Sequence, residues 1–286
     1  MELSRRPGPS VRVRVEEHRA GELLRREDRL ATEEPLEVRL AWPGRPAERV
    51  GVTMRTPGHD FELATGLLYA EGLLSPDLLG SVAYCTDRRL TRDQEFNVVT
   101  VTLSAPPLRP PHERPDTVTA AASACGVCGA DSISEVLALS DVRGDRVVAE
   151  QTVAEAAVLH ALPARLREAQ RVFATTGGLH AAGLFDSSGN LLVLREDIGR
   201  HNAVDKVVGA RVLDGSPTAV PVLCVSGRIG FEIVQKAVAA GIGVLAAIGA
   251  PSSLAVRLAH ESGLGLVGFL SDRRFVVYAG GDRVGV

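Results

Sequence analysis

VPVLCVSGRIGFEIVQKAVAAGIGVLAAIGAPSSLAVRLAHESGLGLVGFL, residues Val220 to Leu270, alternates short apolar runs with amphipathic segments. VPVLCVSGR reads as a strand ending in a Gly turn, FEIVQKAVAA as a helix closed by Gly241, and GVLAAIG as a second strand. APSS supplies an N-cap for LAVRLAHESG, and LVGFL is a third strand. Strand, helix, strand, helix, strand at this spacing predicts βαβ units and a mainly parallel sheet. Cys224 sits in a continuous apolar run and is expected in the core. In such sheets ligands gather at the carboxyl ends of the strands, so SGR, GAPSS and the loop after LVGFL are the places to look.

Working outward, LHAAGLF and LLVLRED form a hairpin around DSSGN, and FVVYAG closes the chain. Ala154 to Phe173 reads as helical, with Pro163 restarting the helix, and Ser132 to Leu139 as a shorter helix. In the N-terminal half, LEVRLAW and RVGVTMRT flank a PGRPAE turn and predict a hairpin over Leu36 to Thr56. RTPGHDFELATGLLYAEGLL follows as an amphipathic helix with Asp60 as a candidate N-cap. SVAYCTD and EFNVVTVTLS are further strands, Cys85 lying in the first as a core thiol. APPLRPPHERPD, with five prolines in twelve residues, suits neither helix nor strand and marks a crossing between lobes. The resulting division is an extension over residues 1–33 and one domain over 34–286. Within it lie a lobe at about 34–104, the crossing with a cysteine loop at 105–130, and a second lobe at 131–286.

Composition narrows the function classes. The chain has 286 residues, 45% of them apolar and 23% charged, an ordinary globular balance. A net charge of −3 offers no basic field for nucleic acid, and no apolar run is long enough to predict a membrane span. The N-terminal stretch lacks the apolar core of a secretory signal, so a cytoplasmic protein with reduced thiols is expected. Of 32 Lys and Arg residues only Lys206 and Lys236 are lysine, and both fall in dense polar motifs.

The remaining thiols, Cys125 and Cys128, lie in SACGVCGA, a loop without a charge or a large side chain. A Cys-x-x-Cys pair serves zinc binding, redox exchange or sulfur transfer, and spacing alone does not choose. Structural zinc needs four ligands, and no second close Cys/His pair exists in the chain. A deaminase-type zinc site would need His-x-Glu upstream of Pro-Cys-x-x-Cys, which is missing. A thiolate on an open, Gly-flanked loop suits sulfur transfer, while a dithiol oxidoreductase stays open. In REDIGRHNAVDKVVG, an apolar stripe at Ala203, Val204, Val207 and Val208 leaves His201, Asn202, Asp205 and Lys206 on the opposite side, where Asp205, four residues on, either orients the His201 imidazole or, as is more common, belongs to a solvated face. Arg228 offers a fork to a phosphate or a partner to Glu232.

SACGVCGA, RTPGHDFELATGLLYAEGLL, TGGLHAAGLFD, REDIGRHNAVDKVVG, SGRIGFEIVQKA and APSSLAVRLA together resemble the formate dehydrogenase accessory sulfurtransferase family, FdhD, over roughly Glu34 to Gly280. The resemblance implies an α/β fold with a cytidine-deaminase-like mixed sheet, flanking helices and two lobes, lacking the deaminase zinc site, in a homodimer. It implies transfer of persulfide sulfur from a cysteine desulfurase to the molybdenum cofactor, Mo-bis(molybdopterin guanine dinucleotide), for the formate dehydrogenase catalytic subunit. On the matching positions, Cys125 is the persulfide carrier and Cys128 the supporting thiol. Phe269, Leu270, Ser271, Asp272, Arg273 and Arg274 form the guanine-nucleotide loop, and no resident metal is implied. A cofactor chaperone with incidental thiols is the rival from another class.

Overall fold

The computed structural model describes residues 7–87, 90–91, 94–111 and 154–285. Two larger sheets organise it. The first has four strands in the order β4-β3-β6-β5, with β3 (Glu34–Trp42), β4 (Arg45–Arg55), β5 (Leu79–Tyr84) and β6 (Val98–Leu103). The second has six, in the order β13-β12-β11-β10-β8-β9. Its members are β8 (His180–Phe185), β9 (Leu191–Asp197), β10 (Val222–Val225), β11 (Val244–Ala247), β12 (Gly265–Gly268) and β13 (Val276–Ala279). Only β10, β11 and β12 run parallel; β8, β9 and β13 pair antiparallel, so the sheet is mixed rather than mainly parallel. The βαβ pattern forces the parallel pairings, whereas the short DSSGN turn returns the chain antiparallel, with Asp186 accepting from the Ser188 and Asn190 amides.

Helix α1 (Asp60–Ala70) packs on the four-stranded sheet. Helix α4 (Arg200–Leu213) packs on β8 and β9, and α1 and α4 pack on each other. They meet at two glycines: a Cβ on Gly66 would lie 1.9 Å from the Asp205 carbonyl, and one on Gly209 1.9 Å from that of Glu62. One apolar core therefore runs from Leu36, Val38 and Leu40 through Leu63 and Leu67 to Val204, Val207, Leu223 and Leu245. Period-2 alternation divides β10: Leu223 and Val225 face this core, while Val222 and Cys224 face a second cluster under α2 (Ala156–Ala169). Helices α5 (Phe231–Ala239) and α6 (Ser253–Ser262) make the βαβ connections.

Three local expectations are corrected. Helix α2 continues through Pro163. Leu159, Leu162 and Leu166 are fully buried on one stripe across it, and that burial outweighs one missing amide bond. Cys85 lies just beyond β5 and is half-buried, its Sγ 3.8 Å from Arg39 Nη1. No element is predicted before Leu36, yet β1 (Ser10–Arg19) and β2 (Glu22–Ala31) form a ten-residue-deep hairpin. Its signal was the alternation of Val11, Val13 and Val15 with charge. The remaining short elements are α3 (Phe173–Thr176), 3-10 turns at Pro76–Leu78 and Gly281–Arg283, and β7 (Ala154–Glu155) and β14 (Val284–Gly285), which pair in parallel. Among the described residues no helix is long and apolar enough to cross a membrane.

Candidate functional site

The carboxyl ends of β10, β11 and β12 are stitched into one ledge by backbone bonds. Gly249 donates to the Gly227 carbonyl, Ile229 to Ala250, Ser252 to Ile229, and Phe269 to Gly249. A Cβ on Gly249 would lie 2.7 Å from the Gly227 oxygen, so glycine is required for this approach. SGR, GAPSS and the loop after LVGFL are thus neighbours.

In the Phe269–Arg274 loop, Phe269 adopts a left-handed backbone conformation, φ 52°, and the residue is 44% exposed. Leu270 turns the other way: its amide donates to Ala247 and its side chain is buried in the cluster under α2. The Ser271 hydroxyl accepts from the amides of Arg273 and Arg274, and the Ser271 amide donates to the Arg274 carbonyl. His160 Nδ1 donates to the Ser271 carbonyl at 2.8 Å, pinning the turn to α2. Phe269, Asp272, Arg273 and Arg274 are exposed, with the Arg274 guanidinium 5.8 Å from the Phe269 ring centroid. Leu270 and Ser271 shape the loop.

Further along the ledge lies His180, the first residue of β8. A Cβ on Gly227 would be 3.2 Å from its Nδ1 and 3.7 Å from Arg200 Cβ, so the three sit together. Burial, then the nearby Arg200 and His201, and more weakly Arg228, hold the His180 pKa below the usual histidine range against the pull of Asp197. His180 and Ser226 line a cleft of about 550 Å³ with Arg167, Gln170, Phe173 and Ile248. Its outer wall is α3, whose first amides donate to Glu196: Val172 to Oε2 at 2.9 Å and Phe173 to Oε1 at 2.7 Å.

Behind the ledge the REDIGRHNAVDK motif is buried, not solvated. His201, Asn202, Asp205 and Lys206 are each 5% exposed or less. The expected polar face is instead a set of ties to other elements. Asp197 accepts from the Thr56 and Gly199 amides, Asn202 Nδ2 and Lys206 Nζ, the last at 2.6 Å. Lys206 also donates to the Thr56 carbonyl, and Asn202 to that of Met54. Lys236 reaches both Asp205 oxygens, at 2.7 and 3.0 Å. Burial raises the Asp205 pKa to about 6, with Glu71 and Asp197 adding to it and Lys236 opposing. His201 Nε2 lies 2.8 Å from Glu232, so Glu232 serves His201 rather than Arg228. Arg195 Nη2 donates to Glu62 on α1 at 2.8 Å. Asp60 does not cap α1 by its side chain; it pairs with the fully buried Arg55 and accepts from Tyr84. The use of lysine at only two positions, Lys206 and Lys236, both in dense polar motifs, was the available signal.

Cys125 and Cys128 lie outside the described residues, as do the Ser132 to Leu139 segment and the crossing from residue 112 onward. Of the described thiols, Cys224 is fully buried and burial pushes its pKa up to about 12, which makes it inert. Among the described residues no group of three His, Cys, Asp or Glu side chains is placed to hold a metal.

A model of the FdhD/NarQ family matches residues 31–285. The chain is 47% identical over 276 residues to the protein called Sulfur carrier protein FdhD of Mycolicibacterium paratuberculosis, covering 96% of this chain and 98% of that one. It is 48% identical over 275 residues to the protein of the same name from Streptomyces avermitilis, covering 93% and 92%. The crystal structure of a protein described as a formate dehydrogenase accessory protein from Desulfotalea psychrophila superposes with a TM-score of 0.72 at 22% identity, covering 96% and 99%, which shows a shared fold.

Proposed function

Because the chain belongs to the FdhD/NarQ family, we propose that it is a sulfur carrier, a sulfurtransferase that passes persulfide sulfur from a cysteine desulfurase to the molybdenum cofactor of formate dehydrogenase. The observation that carries this reading is the near-complete match to proteins called sulfur carriers, at 47–48% identity. In the first step the Cys125 thiolate attacks the outer sulfur of the desulfurase persulfide. The desulfurase S–S bond breaks, its thiolate leaves, and a new S–S bond forms on Cys125. In the second step the outer sulfur is handed on as sulfide to molybdenum, where it becomes a terminal ligand. That reduction takes two electrons; attack by the Cys128 thiolate on the inner sulfur supplies them and leaves a Cys125–Cys128 disulfide for a cellular thiol to reopen.

The cargo, Mo-bis(molybdopterin guanine dinucleotide), is polyanionic with purine ends. The ledge suits it: an exposed ring at Phe269 can stack on a base, and Arg273 and Arg274 beside it carry exposed positive charge. The mixed sheet is read as cytidine-deaminase-like and the working unit as a cytoplasmic homodimer. The test is activation of apo-formate dehydrogenase in an extract lacking its own accessory protein. Cys125→Ala should fail to activate yet bind GDP as the wild type does; full activation would instead favour a chaperone whose thiols are incidental.

A further inference from the structure

The β1–β2 hairpin is a two-stranded sheet with no third strand on either side among the described residues, an arrangement that is marginal in water by itself. Its register sets Val11 opposite Leu30, Val13 opposite Asp28, Val15 opposite Arg26 and Glu17 opposite Leu24, so one face bears three valines and two leucines. Val11, Leu24 and Leu30 on that face, and Leu23 on the other, are each from 44% to 51% exposed. The Thr32 amide donates to the Pro9 carbonyl, which makes every second residue from there a bonded partner of β2. The amides and carbonyls of Ser10, Arg12, Arg14, Glu16 and His18 therefore point away from β2. That outer edge is about 34 Å long at about 3.4 Å per residue, and no strand among the described residues pairs with it.

The order of charges along β1 selects what fits there. Arg12 and Arg14 come first and Glu16 and Glu17 after them, so an antiparallel copy of β1 sets basic positions against acidic ones. With a two-fold axis at Val15, Arg14 faces the partner's Glu16 and Glu16 the partner's Arg14, while Val15 meets the partner's Val15 on the apolar face. The same operation on β2 opposes Arg26 to its own copy, or Glu27 to its own copy. Across the hairpin, Arg25 holds Glu16, Arg26 holds Glu17 and Arg12 lies 3.7 Å from Glu27, whereas Arg14 makes no ion pair among the described residues. We infer that the outer edge of β1 pairs with β1 of a second copy of this chain, giving one four-stranded sheet across two molecules. The inference rests on the homodimer reading given above and names the surface that makes it. β1 lies ahead of residues 31–285, the part that the family model matches, so substitutions in it leave the candidate site unaltered.

Sedimentation equilibrium of the full chain over a dilution series tests it, with thermal melts to show that each variant is folded. The wild type should be a dimer. Arg14→Glu sets like charges against each other at both symmetric pairs, as does Glu16→Arg, and each should raise the dissociation constant by about tenfold or more. Both changes in one chain recreate the two pairs and should restore the dimer. Arg14→Pro removes an outward amide and spares the bonds to β2, so the hairpin stays while the dimer is lost. Arg14 and Glu16 are exposed, so these variants keep the fold. A monomeric wild type overturns the hairpin contact and the homodimer reading together, and so does a monomer that this edge joins to an added cysteine desulfurase instead. A dimer unmoved by Arg14→Pro and Arg14→Glu overturns the hairpin contact alone and leaves the homodimer to another surface. Weakening in both single variants without recovery in the exchanged chain overturns the antiparallel register.

Discussion

At the scale of single residues, the two lysines separate burial from mere charge. Lys206 is 1% exposed against Asp197, itself fully buried, and removing one partner of a buried pair leaves the other charge desolvated. Lys206→Met should therefore cost about 3–5 kcal/mol, lowering Tm on the order of 10 °C. The helical pair Arg257–Glu261 is 70% and 39% exposed, and Arg257→Ala should change stability by less than about 0.5 kcal/mol. Thermal melts of both variants decide this: equal shifts would mean that the buried network does not join the halves. Cys224, by contrast, should resist alkylation in the folded chain, because burial keeps its thiol protonated.

Among elements, the α1–α4 crossing depends on glycine for a steric reason. Gly66→Ala would place a methyl 1.9 Å from the Asp205 carbonyl, so the helices must part, at a cost of about 3 kcal/mol or more. A melt unchanged by this substitution would contradict the packing. The same helix is tied to β9 by Glu62. Burial pushes its pKa up, but hydrogen bonds from Arg195 and His59 outweigh that and bring it to about 2. The folded pKa lies below the unfolded value of about 4.3, so this stabilisation is complete above that value and is lost as pH falls toward 2. Arg195→Ala should raise the midpoint of acid unfolding; an unchanged midpoint counts against the tie. The βαβ units, the β8–β9 hairpin and the core position of Cys224 were legible because their period and turn chemistry are local. The burial of His201, Asn202, Asp205 and Lys206 was not. It depends on α1 and Met54–Thr56 closing over that face, a contact about 150 positions away in the chain. The β1–β2 hairpin hid behind a charge density that resembles an unstructured tail.

Across the whole molecule, one core fuses the elements before the crossing to those after it, and the ledge of strand ends projects from that rigid base. Of the Phe269–Arg274 loop, the sequence placed the segment correctly between β12 and β13, while only the fold shows that Leu270 turns inward and that His180 and Ser226 extend the ledge. In the proposed function the ledge binds the cargo and Cys125 does the sulfur chemistry, and the central claim is that the sulfur rides on Cys125. Incubation with a cysteine desulfurase and isotopically labelled cysteine, followed by peptide mass mapping, measures this directly. The account predicts one added sulfur atom on the peptide containing Cys125, lost on treatment with a thiol reductant and absent from Cys125→Ala. Label confined to Cys85 or Cys224, or no label on any cysteine, would contradict it.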